Sequence, residues 1–395
     1  MFLYLFLFIA LAGIYKLTYR GSGCDKRLFF FIVLALGLFV GLSDMLGGYD
    51  RYIYAEYFDQ VADVGKTSMH DYLNEAQIFN HWEGEKGYGW LNVAISLFTS
   101  NRYIFILVFT LIVYGLLFVS ISEYTDDNLM ALMVFMGLLF FFTYTYLRQV
   151  MGFSIGWLAI RYAYQRSFWK FTLIVLLAYS MHNSAVILFP LYFIPVKKYP
   201  KGVVITVLIV CLFLGALGVA NFFYNTYSDA ADDSRGESLN ESTGSLRPGY
   251  LIEAIIFAVL ILRNYEYVLD TKRHILLMNV GLFFCCVLLL FIRSENGGRL
   301  SWYYAIGIMA TLANIAAQKH RVNATPQSIS LSGFHLFLIG LSFFLYFRIL
   351  RGWGEGGYQI LYPYKTFLTN GHRDPDRTYD EYEYDYRYDK DKFYR

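Results

Sequence analysis

Ionisable side chains that are costly inside apolar sequence stand at three places where long apolar runs meet. Arg148, in "YTYLRQVMGFS", lies between two such runs with Gln149 beside it. His182, in "LLAYSMHNSAVILFPL", joins two apolar half-runs and is followed by Asn183 and Ser184. Arg293 and Arg299 bracket Glu295, Gly297 and Gly298 in "LLLFIRSENGGRLSWYYAI". At membrane depth each such group needs a partner or a task. A forked, permanent guanidinium charge suits phosphate oxygens. An imidazole titrates near neutrality and can take the proton of a hydroxyl. The simpler readings are a snorkelling interfacial arginine, a core histidine bonded to a neighbouring helix and a surface ion-pair turn around Glu295.

A second constellation is aromatic and acidic. In "SDMLGGYDRYIYAEYFDQ" (43–60) an apolar run opens into Tyr49, Tyr52, Tyr54 and Tyr57, interleaved with Asp50, Arg51, Glu56 and Asp59. Glu85, Tyr88 and Trp90 follow in "EKGYGWLN", with Trp82 just before. Sugars are natural partners for such a set, because rings stack on their C–H faces and carboxylates accept their hydroxyl protons. The competing reading is the interfacial aromatic belt of any membrane protein. His70, Asp71, His81, Glu83 and Glu85 are plausible metal-ligand types, but their spacing matches no tight ligand motif, so no metal or other cofactor is expected.

The composition decides what must position these residues. The chain has 395 residues, of which 57% are hydrophobic, 20% aromatic and 16% charged. Soluble domains average about 25% charged residues, so a membrane protein is indicated. The net charge of +2 is dispersed between apolar runs, which argues against nucleic acid as a partner. Cys24, Cys211, Cys285 and Cys286 form no CxxC pair and read as buried small hydrophobes. The first twenty residues lack a basic n-region and a cleavage site and read as an uncleaved span.

Apolar stretches predict an all-α polytopic domain of about twelve transmembrane helices, at 2–15, 29–46, 103–122, 129–147, 150–165, 168–181, 184–196, 203–220, 250–264, 274–292, 301–317 and 330–348. The basic connectors fall on one side, the cytoplasmic one, if 88–100 dips in and returns as a re-entrant segment. The expected organisation is a membrane domain over 1–350 with outer loops 47–87, 221–249 and 293–300. A post-membrane segment (351–370) and a disordered Tyr-rich tail (371–395) follow. Arg148, Arg293 and Arg299 then face outward, against the usual bias of arginine.

"GYDRYIYAEYF", "EKGYGWLN", "YLRQVMGFSIGWLAIRYAYQRSFWKF", "LLAYSMHNSAVILFPLYF" and a late "ILYPY" occur in that order. This order resembles the EpsG family of bacterial polysaccharide polymerases, Wzy-like proteins of exopolysaccharide, capsule and O-antigen synthesis. The resemblance implies a polymerase at the outer face of the bacterial cytoplasmic membrane. It would move the growing glycan from polyprenyl diphosphate to a sugar hydroxyl of an incoming lipid-linked unit. The donor and acceptor would be polyprenyl-diphosphate-linked oligosaccharides, with membrane lipids, a chain-length regulator and a flippase as further partners. Asp50, Glu85, Arg148, Gln149 and His182 match the family pattern, and Arg293 and Arg299 match a late basic element. The expected roles are His182 as base, with Asp50 or Glu85 as runner-up, and Arg148 with Arg293 or Arg299 on the diphosphate. Tyr49, Tyr52, Glu85, Tyr88, Trp90 and Gln149 would hold the glycan. The alternatives are a glycan ligase using the same donor and a flippase of the lipid-linked unit.

Overall fold

A computed structural model describes residues 1–19, 21, 23–67, 76–81, 84–220, 244–294, 297–323, 331–354, 360–361 and 364–369. The sequence expectations for Glu295, Trp82, His70, Asp71, Glu83, the tail 371–395 and most of 221–249 lie outside these residues, as does the side chain of Tyr49. Among the described residues the chain is all-helical, with no named strand. The helices used below are α1 (Phe2–Thr18), α2 (Lys26–Gly41), α3 (Tyr49–Thr67), α4 (Lys86–Ser96), α5 (Arg102–Tyr124) and α6 (Asn128–Leu138). They continue as α7 (Leu147–Trp157), α8 (Phe168–Met181), α9 (Lys201–Ala216), α10 (Pro248–Arg263), α11 (Lys272–Leu290), α12 (Ala305–Asn323) and α13 (Gly333–Gly354).

Polar side chains start the apolar helices by satisfying their first free N–H groups. Asp25 accepts from the Arg27 N–H at 2.9 Å, Asn101 from Tyr103 at 2.9 Å, Asp127 from Met130 at 3.1 Å and Thr271 from His274 at 3.3 Å. Among the described residues four helical stretches are long and apolar enough to cross a membrane: Arg102–Tyr124, Lys272–Leu290, Gly297–Val322 and Gly333–Trp353. Five shorter apolar helices accompany them, among them α1, α8 and α9. Leu173 and Leu176 on α8, Ile209 and Phe213 on α9, and Phe337 and Phe344 on α13 are exposed, as suits contact with lipid tails. The protein is therefore membrane-embedded. Its four cysteines are free, and Cys211, Cys285 and Cys286 are buried.

The core runs through α6 and α12. Every residue of α6 from Leu129 to Leu138 is buried. Beside it α11 and α12 cross at Gly281 and Gly307, where a Cβ on Gly307 would run into the backbone of Gly281 and Val280. Close backbone approach at small residues is how apolar helices pack without a hydrophobic driving force between them.

Several segments differ from the sequence expectation: 150–165 is divided between Leu147–Trp157 and Ile160–Tyr164, 184–196 is largely a 3₁₀-helix (Asn183–Phe193), and two further differences position the site. The continuous span expected over 129–147 ends at Leu138, passes through a 3₁₀-helix (Phe140–Tyr144) and restarts at Leu147. Three consecutive phenylalanines are indifferent helix formers, and the Thr143 hydroxyl bonds back to the Phe140 carbonyl at 2.6 Å. The break puts Arg148 in the first turn of α7. The stretch 47–87, expected as a loop, contains the 19-residue helix α3. Tyr52, Ala55, Phe58 and Ala62 recur at helical spacing and are buried, and Phe58 stacks on Phe105 of α5 at 4.3 Å.

The 11-residue α4 (Lys86–Ser96) occupies the proposed re-entrant stretch. At 1.5 Å per residue it covers roughly 16 Å, about half of the ~30 Å hydrocarbon core. The chain then turns at Asn101 into α5.

Arg51 locks this region. Its side chain is fully buried and donates to the carbonyls of Leu46 (2.9 Å), Val40 (3.2 Å), Ser43 (3.3 Å) and Tyr144 (3.4 Å). The late "ILYPY" segment closes the same knot from the other end of the chain. Ile360 accepts from the Gly47 N–H at 2.9 Å, Lys365 accepts from Asp44 at 2.8 Å, and Tyr364 stacks on Phe39 at 4.3 Å.

Gly307→Leu should abolish the folded monomer peak in detergent size-exclusion chromatography, because overpacking here meets backbone rather than a movable side chain. Even in yielding cores overpacking costs about 1–3 kcal/mol. Gly340→Ala on α13, where nothing lies within 4 Å of an added Cβ, should leave that peak unchanged.

Candidate active site

Three helix ends converge on one carboxylate. Glu85 sits at the N-cap of α4 with its side chain fully buried. Its Oε2 accepts from Nη1 of Arg148, in the first turn of α7. Its Oε1 accepts the Asn183 N–H at 3.0 Å and lies 3.3 Å from Nδ1 of His182, the C-cap of α8. The chain leaves the helix in extended conformation at His182 (φ −155°), which turns the Asn183 N–H back toward Glu85.

Arg148 is enclosed as well. Its guanidinium lies 5.4 Å from the Tyr54 ring centroid and 6.0 Å from that of Tyr88, within cation–π range. His182 is more accessible, with 24% of its side chain exposed. Ser184 Oγ stands 3.3 Å from His182 Nδ1 and 2.9 Å from the Tyr303 hydroxyl. Nδ1 faces both the Glu85 carboxylate at 3.3 Å and the Ser184 N–H, which donates to it at 3.3 Å; when Nδ1 carries the proton toward Glu85, Nε2 is the basic nitrogen and can accept one from a substrate.

Charge sets the ionisation of the carboxylates here. Burial alone would raise the Glu85 carboxyl, but His182, Arg148 and the Asn183 N–H outweigh it and hold the group below the ordinary carboxylate range. Asp50, in the first turn of α3, goes the other way. Its burial raises it against the opposing pull of Arg299 and Arg148. Asp50 therefore feels both of the arginines expected to meet the diphosphate.

Of the arginines bracketing Gly297 and Gly298, Arg299 belongs to this neighbourhood. It lies 3.9 Å over the Tyr146 ring and donates to the Tyr146 hydroxyl at 2.7 Å. Gln149 Nε2 donates to the Arg299 carbonyl at 3.1 Å, joining α7 to the turn before α12. Arg293 points elsewhere, donating to the carbonyls of Gly244 (3.0 Å) and Ala216 (3.2 Å).

The aromatic expectations divide. Tyr52 and Tyr88 are buried, 2% and 0% exposed, so their rings offer no open face to a sugar. Helical periodicity in α3 turns Tyr52 inward, and Tyr88, on α4, faces Arg148. Trp90 is half-exposed and meets Phe79 edge to face at 5.4 Å. Among the described residues no group of three His, Cys, Asp or Glu side chains gathers as metal ligands would.

Sequence reasoning missed two charged residues. A cavity of about 340 Å³ lies beside Arg299, lined by Tyr146, Trp302, Tyr250, Glu253 and Arg348 among others. Glu253 is the one acidic residue in the otherwise apolar α10, a signal that the rule for intramembrane charges would have caught.

Fold and site together define a helical membrane protein whose ionisable groups gather where broken and short helices end. The chain belongs to the EpsG family, whose model matches residues 26–366. No curated protein and no solved structure matches it. Membership points to a polysaccharide-polymerase-like role.

Glu85→Gln should lower thermal stability by about 3–5 kcal/mol, since it leaves a buried guanidinium without its counter-charge. A carboxyl held below its unfolded value stabilises at pH above that value, about 4.3, and loses the contribution as pH falls through the folded one. Thermal unfolding of the wild type should therefore show an acid-side loss that Glu85→Gln lacks.

Proposed function

We propose that the protein polymerises polyprenyl-diphosphate-linked oligosaccharide units at the outer face of the bacterial cytoplasmic membrane, within a bundle of about twelve crossings. The observation that carries this reading is the buried Glu85 carboxylate, which binds Arg148 and faces His182 at the same time. A phosphate-seeking cation and a proton acceptor are thereby held at a fixed distance from each other.

In the reaction, an acceptor hydroxyl oxygen attacks the anomeric carbon of the donor glycan. The bond from that carbon to the diphosphate oxygen breaks, and its electron pair leaves with the lipid diphosphate. The hydroxyl proton goes to Nε2 of His182, while Nδ1 shares its own proton with Glu85. Negative charge grows on the departing phosphate oxygens, and preorganised guanidinium groups stabilise it. Arg148 serves there first, and Arg299 reaches the same region past Tyr146. Asp50, between the two arginines in charge terms, orients an acceptor hydroxyl or shares its proton. A single displacement needs no protein nucleophile and inverts the anomeric centre.

The fixed geometry itself lowers the barrier, because two lipid-linked substrates must meet in one orientation. Membrane lipids, a flippase that delivers the units and a chain-length regulator are the expected partners.

Arg148→Ala and His182→Ala, each expressed at wild-type membrane levels in a strain lacking the protein, should accumulate single lipid-linked units and lose long chains. Removal of a general base typically costs 10²–10⁴-fold in rate, so a drop of about a hundredfold or more is expected for His182→Ala. Sizing of the lipid-linked glycans reads the result. Unchanged long chains in both variants would remove these residues from the mechanism. Long chains in the strain with no copy of the protein would favour a ligase or flippase role instead.

A further inference from the structure

The cavity beside Arg299 holds chemistry that the displacement step does not use. Glu253 sits in α10, where a carboxylate among Ile, Phe, Val and Leu is costly. The structure gives it an ion pair with Arg348 at 3.8 Å, longer than a hydrogen bond, and leaves 16% of its side chain exposed. Arg348, on α13, is half-exposed and lines the same cavity. Arg299, Tyr146, Tyr250 and Trp302 also line it, beside apolar side chains such as Leu138, Phe142 and Leu288.

We propose that this cavity is a sugar subsite, in which Glu253 accepts hydrogen bonds from glycan hydroxyls and Arg348 donates to them. Each sugar hydroxyl both donates and accepts, so its pocket must offer both functions. An ionised carboxylate only accepts and a guanidinium only donates. Tyrosine and tryptophan side chains add the flat apolar contact that the C–H face of a pyranose needs. At about 340 Å³ the space falls at the lower end of ligand pockets, which run ~300–1,000 Å³.

A diphosphate fits this lining less well. The Glu253 carboxylate would repel it, and Arg348 already stands against that carboxylate. A lipid tail fits worse, because three charged side chains line the space.

Position strengthens the assignment. Arg299 and Tyr146 belong to both the cavity and the neighbourhood of Gln149 and Asp50. A sugar seated against Glu253 therefore lies next to the region assigned to the reacting bond. The identity of that sugar as part of a growing glycan rests on the polymerase reading; the pocket's preference for a sugar over a diphosphate does not.

The test is binding, measured by calorimetry on the full-length protein in lipid nanodiscs. Two probes are used. One is the oligosaccharide released by mild acid from lipid-linked units of a strain lacking the protein, and the other is farnesyl diphosphate. Wild-type protein should bind both. Glu253→Gln and Arg348→Met should each weaken the oligosaccharide by about tenfold or more, the effect of losing a hydrogen bond to a charged group, and leave farnesyl diphosphate unchanged. Arg348→Met changes a half-exposed side chain and carries the test if Glu253→Gln does not fold. Undiminished oligosaccharide binding in the folded variants overturns the proposal, as does a loss confined to farnesyl diphosphate or a wild type that binds no oligosaccharide. Because binding is read without turnover, a failure of the polymerase reading would leave this result intact.

Discussion

One carboxylate organises the centre of the molecule. Glu85 is fully buried, and a buried anion survives only when its partners replace the water it has lost. Those partners come from two other helix ends, the guanidinium of Arg148 at the start of α7 and the Asn183 N–H and His182 ring at the end of α8. Removing Arg148 leaves the buried carboxylate without its permanent counter-charge. The same contacts that make Glu85 tolerable therefore fix the separation and orientation of the two groups with the clearest chemistry.

The unusual backbone of this region follows from that requirement. A continuous helix over 129–147 would have carried Arg148 onto a bundle face; the 3₁₀ passage at Phe140–Tyr144 instead gives it the first turn of α7. A continuous crossing over 88–100 would have buried Glu85 at the end of a full span. The short α4 places it at a helix start in the interior. Irregular backbone at membrane depth is tolerated where protein covers it, and here Arg51, Ile360 and Lys365 supply the cover. Their hydrogen bonds to the carbonyls of Val40, Ser43, Leu46 and Tyr144 and to the N–H groups of Asp44 and Gly47 satisfy the peptide groups left by the helix breaks.

Several members of the candidate site were legible from residue type alone. Arg148 and His182 stood out because charge is rare and expensive inside apolar runs, and the family resemblance added Glu85, Asp50 and Gln149. Their meeting was not legible, since Glu85, Arg148 and His182 lie on three separate elements. Nor was the direction of the tyrosines. Composition marked 49–57 as a sugar-like surface, yet the spacing of Tyr52, Ala55, Phe58 and Ala62 already described one buried helical face. Helix positions such as 168–181 were read to the residue, because an unbroken apolar run between polar ends has one solution. The expected span 129–147 failed at its middle, where local Thr143 bonding and a phenylalanine run mattered more than continuous hydropathy. Glu253 went unread although its isolation in an apolar helix is the plainest charge signal of that segment.

The central claim is that Glu85 makes Arg148 and His182 act as a unit, and a double-mutant cycle on polymer formation tests it most directly. Glu85→Gln, His182→Ala and the double variant would be compared for initial rate on extracted lipid-linked units, each corrected for folded protein. Residues that act as one device are strongly non-additive. The account predicts a double variant no slower than the slower single one. Rate losses that multiply, as for independent sites, would contradict it.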